Sequence, residues 1–259
     1  MDFLHKLDEN IFKDLYWNIP EQKQGKVNII GGNAQSFRTS VKTAEYLLKN
    51  YPLANVNLVL PDILKTKLPP MPDTFYLKST ETGSFADSEE LKNVMALADY
   101  NLVIGDLSKN TITGQAIASA CENSAAPLLV TRDAVDLLAE NTTEKSLMNE
   151  NLVVMGSMAQ IQKLFRAVYY PKVLTLSQSL VQVAEALHKF TLSYPVAMVT
   201  IHNGQIIVAK SGTVNVVPLQ KSGFTPILFW NGEMAAKIVA LNLYNPNNFI
   251  KATSAAVFA

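Results

Sequence analysis

Gly31-Gly32-Asn33 follows the apolar run VNII at 27–30. Open α/β sheets place their crevice outside the carboxyl ends of the strands, so this bend either contacts a ligand or simply joins a strand to a helix. A second group, Trp230-Asn231-Gly232-Glu233, stands directly before Met234, Ile238 and Leu241, which share one helix face. Here Asn231 is a good N-cap, and an acidic residue in the first helical turn is favoured by the macrodipole. Other chemistries find less to work with. The chain has no GxGxxG fingerprint, no GxxxxGK[ST] phosphate loop and no GxSxG elbow. His5, His188 and His202 lie far apart without metal-ligand spacing. Cys121 falls beside Ile117 and Ala120 at helical spacing, which reads as a small buried hydrophobe, and a lone cysteine excludes an intramolecular disulfide.

Composition narrows the classes further. The 259 residues are 48% hydrophobic, enough for a sizeable core, and Lys plus Arg (22) equal Asp plus Glu (22). A balanced charge provides no field to draw the chain onto nucleic acid or an anionic membrane, so neither partner is expected. The opening MDFLHKLDENIFKDLYW interrupts its apolar positions with charge, and no stretch approaches about 18 uninterrupted apolar residues. Cytoplasm is the expected location.

The elements that would carry these residues alternate in period. Apolar runs at 27–30, 55–61, 101–105, 127–131 and 151–156 read as buried strands, and amphipathic segments lie between them, which is the pattern of a mostly parallel sheet covered by helices. In TSVKTAEYLLKNY, Val41, Ala44, Leu48 and Tyr51 are expected to share the inward face. FYLK is a short strand, Ser88 the N-cap of the next helix, KVLTL at 172–176 a further strand, and SLVQVAEALHKF a helix. VAMVTIHNGQIIVAK predicts a hairpin, because Asn203-Gly204 tolerates the positive φ values of a type I′ turn. With no internal repeat or long linker, one domain over 1–259 is expected, its residues 1–25 forming a helical extension.

In order and local motif the chain resembles the ADP- or ATP-dependent NAD(P)H-hydrate dehydratases, the YjeF C-terminal-domain branch of the ribokinase-like, or carbohydrate-kinase-like, superfamily. KVNIIGGNAQSFRTSVKTAEYLLKNYPLANVNLVLP is similar to the family's opening strand, Gly-Gly-Ser, aromatic, alanine-rich helix and second strand, with Asn33 for serine and Phe37 for tyrosine. ADYNLVIGDL, which contains Asp106, resembles the strand before its Pro-Gly-Leu-Gly turn, and PLLVTRDAVDLLAE its Asp-Ala-Asp-Ala-Leu segment, with Asp133 as the second aspartate. NGEMAAKIVALNLYNPNNFIKATSAAVFA is similar to its Gly-Thr-Gly-Asp turn and closing helices.

The resemblance implies a three-layer α/β/α ribokinase-like fold with antiparallel strands near the C-terminal end of the sheet. It also implies ADP or ATP as cofactor, accompanied by Mg2+, NAD(P)H hydrate as substrate, and self-association into a homo-oligomer. By the same reading Glu233 is the base, Asn231, Gly232 and Lys221 meet the nucleotide, and Gly31, Gly32, Asn33, Phe37, Asp106 and Asp133 line the substrate side. Such a site needs amides at a helix N-terminus for phosphate and a carboxylate within reach of the reacting hydroxyl. Several family positions are changed. LTLSQSLVQ at 174–182 has none of the histidine, glycine or glutamate of Thr-Pro-His-Pro-Gly-Glu, Thr131 stands for the first aspartate, and Ile201-His202 replaces Lys-Gly. Lys221 or Lys210 would then have to supply the cation. These losses open a second expectation: a non-catalytic nucleotide- or metabolite-binding protein, or an assembly protein, on the same fold.

Overall fold

The computed structural model describes residues 2–7, 10, 13, 15, 18–69, 73–219 and 226–259. Its centre is a ten-stranded sheet whose strands lie, from edge to edge, in the order 4–6, 213–218, 205–210, 197–202, 152–155, 128–131, 100–105, 26–31, 55–61 and 74–77. β2 (Lys26–Gly31), β3 (Asn55–Pro61), β4 (Thr74–Leu77), β5 (Tyr100–Gly105), β6 (Leu128–Thr131), β7 (Leu152–Met155) and β8 (Ala197–His202) are all parallel. Such strands are covered on both faces, which is why they read as unbroken apolar runs. β9 (Gln205–Lys210) returns antiparallel through Asn203 and Gly204, both at positive φ as the hairpin pattern predicts. β10 (Thr213–Pro218) pairs antiparallel with β9, and β1 (Leu4–Lys6) adds at the edge, parallel to β10.

Helices α1 (Arg38–Asn50), α8 (Pro226–Trp230), α9 (Glu233–Tyr244) and α10 (Phe249–Ala255) lie over one face. On the other face are α2 (Ser88–Met95), α3 (Thr111–Asn123), α4 (Asp133–Asn141), α5 (Glu144–Leu147), α6 (Met158–Ala167) and α7 (Leu180–Ser193). The three expected layers are thus present. Among the described residues, no helix is long and apolar enough to cross a membrane.

Four local expectations change. The segment 172–176 is not a strand: the place beside β7 is taken by β8, and Leu174 instead donates its amide to the Gln162 side chain while Leu176 is exposed. The cap of α2 is Asp87 rather than Ser88, its carboxylate accepting from the amides of Glu89 and Glu90. The first 25 residues include strand β1 as well as the helical positions 10, 13 and 15. Finally, α1 is rotated from the face expected for it. It buries Ser40, Thr43, Ala44 and Leu47, whereas Leu48 is exposed, so two hydroxyls look inward at its amino-terminal half.

Candidate functional site

The strand order reverses between β2 and β5, since the chain runs outward from β2 through β3 and β4 and then crosses back. This switch point is where doubly wound sheets open a crevice at the carboxyl rim. Gly31 ends β2, Gly105 ends β5, and Gly232 stands at the head of α9 beside them. A Cβ built on Gly31 would lie 3.0 Å from Ile104, and one on Gly232 3.1 Å from the same side chain. One isoleucine therefore separates the two bends, which share a rim.

The two bends use their amides differently. Gly32 donates to the Gly105 carbonyl (3.0 Å) and Asn33 to that of Ser36 (2.7 Å). The Asn33 side chain is also engaged, its Nδ2 donating to the Asp106 carbonyl (2.8 Å) and its Oδ1 accepting from Gln35 and Ser36. Phe37 is half-buried at the head of α1, against Gly32. At the second bend, Asn231 Oδ1 accepts from the Glu233 amide (2.9 Å), a capping bond. The first helical backbone bond runs from Ala236 to the Gly232 carbonyl, so the Met234 and Ala235 amides meet no acceptor among the described residues, although both residues are fully buried. Buried, unanswered amides at a helix start ask for an anion or water. The hydroxyls of Ser40, beside Gly31, of Thr43, beside Gly232, and of Thr131, and the Nε of Arg132, are also buried without a partner.

The carboxylates of the site are already occupied. Asp133 heads α4, and its two oxygens accept from the amides of Asp106 and Leu107, both at 2.9 Å. Burial pushes its pKa up, opposed by those amides and by Arg132. Asp106 holds Arg132 in an ion pair at 2.8 Å, and the same guanidinium donates to the Trp230 carbonyl at 2.9 Å. Arg132 thus clamps the β5 turn to the bend at 230–232. Both partners sit at positive φ, 56° for Asp106 and 59° for Arg132, a conformation that costs side-chain-bearing residues on the order of 1–3 kcal/mol each. Gln160 steadies Arg132 by donating to its carbonyl (2.7 Å) while also bonding Asp136.

Glu233 turns away from this cluster. It pairs with Lys237 (3.2 Å), and its charge, after burial, helps raise the Tyr46 hydroxyl to about 12. The carboxylate therefore sits between α9 and α1. Lys221 lies outside the described residues. Lys210 ends β9, which runs antiparallel, and so falls on the opposite rim, where it donates to the Glu150 carbonyl. Mg2+ would need at least one carboxylate oxygen free beside the phosphates. Asp106 and Asp133 are committed to protein donors, and no group of three or more metal-binding side chains occurs among the described residues, so these residues do not fit the ion.

The topology, the two covering layers and the glycine bends at the switch point identify the architecture. The fold is ribokinase-like. A ribokinase-like superfamily protein from Enterococcus faecalis superposes with a TM-score of 0.70 at 16% identity, covering 100% of this chain and 86% of that one. A hypothetical protein from Streptococcus mutans gives 0.68 at 15% identity, over 97% and 87%. The ADP/ATP-dependent NAD(P)H-hydrate dehydratase from Bacillus subtilis, co-crystallised with ATP/Mg2+ and soaked with CoA, gives 0.59 at 11% identity, over 95% and 84%. No sequence-family profile and no curated protein matches the chain.

Sequence reasoning missed Arg132, Ser40 and Thr43. The spacing of 40, 43, 44 and 47 was a visible signal for the hydroxyls, because i, i+3, i+4 and i+7 define one helix face. Arg132 carried no such signal, since positive φ at a non-glycine residue is set by the packing around it.

Proposed function

We propose that this protein binds an ADP- or ATP-type nucleotide at the carboxyl rim, on the amides that open α9, and does not turn it over. The observation that carries this reading is the pair of buried amides, Met234 and Ala235, without acceptors among the described residues, beside the unpartnered Thr43 hydroxyl and Arg132 Nε. An anionic phosphate is the kind of group that such donors bind. Against turnover stands the engagement of the carboxylates of Asp106, Asp133 and Glu233 with protein partners.

A second reading, hydrate dehydration driven by the nucleotide, draws support from the place of Glu233 at the first position of α9 and from the likeness in fold to the Bacillus subtilis dehydratase. One set of experiments separates the two. ADP or ATP at 100 times its dissociation constant is expected to add about 2.7 kcal/mol to the unfolding free energy, and Thr43→Val to weaken the nucleotide. A flat thermal response to both nucleotides would reject binding. Turnover of hydrated NADH with either nucleotide, falling in Glu233→Gln, would replace the first reading with the second.

A further inference from the structure

The acidic residues of the carboxyl rim spend their oxygens on the protein itself. Asp106 gives Oδ1 to Arg132 (2.8 Å) and Oδ2 to the Thr39 amide (3.4 Å). Asp133 gives both oxygens to the Asp106 and Leu107 amides, and Asp136, one turn into α4, gives one to Gln160 and the other to Lys163. Glu233 pairs with Lys237. Mg2+ at a nucleotide keeps several waters and is held to the protein by one or two carboxylates, and these four are committed to other donors. What stands among them is a cation. Arg132 follows β6 and donates Nη2 to Asp106 and Nη1 to the carbonyl of Trp230 (2.9 Å), one residue before the Asn231-Gly232 bend. Its charge is thereby fixed beside the start of α9. A guanidinium carries more N–H donors than these two bonds use, and 27% of the side chain is exposed, so it can take a ligand as well. The backbone holds it there at some cost: Arg132 and Asp106 are both at positive φ, and Gln160 fixes the Arg132 carbonyl at 2.7 Å.

We infer that the site takes ADP or ATP free of metal, with the Arg132 guanidinium balancing the phosphate charge in place of a divalent ion. This rests on nucleotide binding at the start of α9 and states the form in which the ligand enters. The planar fork of a guanidinium matches two phosphate oxygens, and its charge adds to the positive pole of the helix. Mg2+ on the phosphates works against both. It cancels part of the charge that draws them to Arg132, and it occupies oxygens that the fork would grip. Asp106 is the counter-charge of Arg132 in the free protein, and a phosphate competes with it for the same guanidinium.

The test is calorimetric titration of the full chain with ADP and with ATP, once in EDTA and once in enough Mg2+ to saturate the nucleotide, at equal ionic strength. Both nucleotides are expected to bind about tenfold more tightly in EDTA. Arg132→Met should cost about tenfold in EDTA and remove the difference between the two buffers, whereas Arg132→Lys, which keeps the charge without the fork, should retain part of the affinity and the preference for EDTA. That preference is a readout which loss of the clamp to Asp106 would not move by itself. Asp106→Asn gives an independent check: with the competing charge gone, ADP should bind a few-fold more tightly in EDTA, while a site in which Asp106 held Mg2+ would lose its nucleotide. Affinity that Mg2+ raises or leaves unchanged overturns the inference and leaves nucleotide binding standing. So does a preference for EDTA that survives in Arg132→Met, or weaker ADP binding in Asp106→Asn. Absence of binding in both buffers rejects nucleotide binding and the inference with it.

Discussion

The two glycine bends of the carboxyl rim carry the same signal in sequence and have opposite fates in structure. At Gly31-Gly32-Asn33, the Gly32 and Asn33 amides and the asparagine side chain are spent on protein partners, so the bend fastens β2 to β5. At Asn231-Gly232-Glu233 one amide is capped and the next two, both buried, meet no acceptor among the described residues. What separates them is the element that follows. After Gly32 the chain makes a turn before α1 begins at Arg38, whereas after Gly232 α9 begins at once and points its unpaired amides at the rim. A glycine in such a place marks a tight approach; only the backbone donors show whether anything is left for a ligand.

The largest effect is expected at the fastening bend. Gly105 has φ of 96°, and a Cβ there would run into the half-buried Asp133 carboxylate well inside contact distance. The Asp133 bonds to Asp106 and Leu107 would break, and the Gly105 carbonyl that receives the Gly32 amide would shift. Gly105→Ala should therefore lower the unfolding free energy by about 3–5 kcal/mol, measured by denaturant titration. A loss below about 1 kcal/mol would mean that the two bends are not joined as described.

The presenting bend should respond differently. Gly232 has φ of 94°, and a Cβ there would lie 2.7 Å from the Thr43 hydroxyl. Gly232→Ala is expected to cost about 1–3 kcal/mol and also to abolish the thermal shift given by ADP or ATP. Asn33→Ala, by contrast, should cost about 1 kcal/mol and leave the nucleotide shift intact. Equal loss of the shift in both variants would erase the distinction between the bends.

Much of this molecule was legible beforehand, and the illegible part has a common cause. The parallel strands, the Asn203-Gly204 hairpin and the buried Cys121 follow from period and local conformational preference, which act within a few residues. The segment 172–176 was misread because its apolar run satisfies strand period, yet the sheet position it would fill belongs to β8. Of the expected site residues, Gly31, Gly32, Asn33, Phe37, Asp106, Asp133, Asn231 and Gly232 do gather at one rim. What no local rule supplies is which carboxylate is already taken: the Arg132 clamp joins residues 26 and 98 positions apart in the chain.

That clamp leads to the smallest effect. Asp136 and Asp133 stand on the same helix with opposite pKa directions. Burial tends to raise both; for Asp136 the Lys163 and Gln160 side chains outweigh it and hold the carboxyl below its usual value, whereas Asp133 stays raised. The signs of their contributions then differ. The stability from Asp136 is complete above the unfolded carboxyl pKa of about 3.9 and is lost as pH falls through the lowered folded value. That from Asp133 is complete below the unfolded value and is lost as pH rises through the folded one. Lys163 is half exposed, so the Asp136 pair is worth at most about 1 kcal/mol. Asp136→Asn should accordingly melt slightly below the parent at neutral pH and converge with it as pH falls below about 4. A gap in melting temperature that stayed constant through that acid range would show that Asp136 supports Gln160 and the Arg132 carbonyl through hydrogen bonding alone, without its charge.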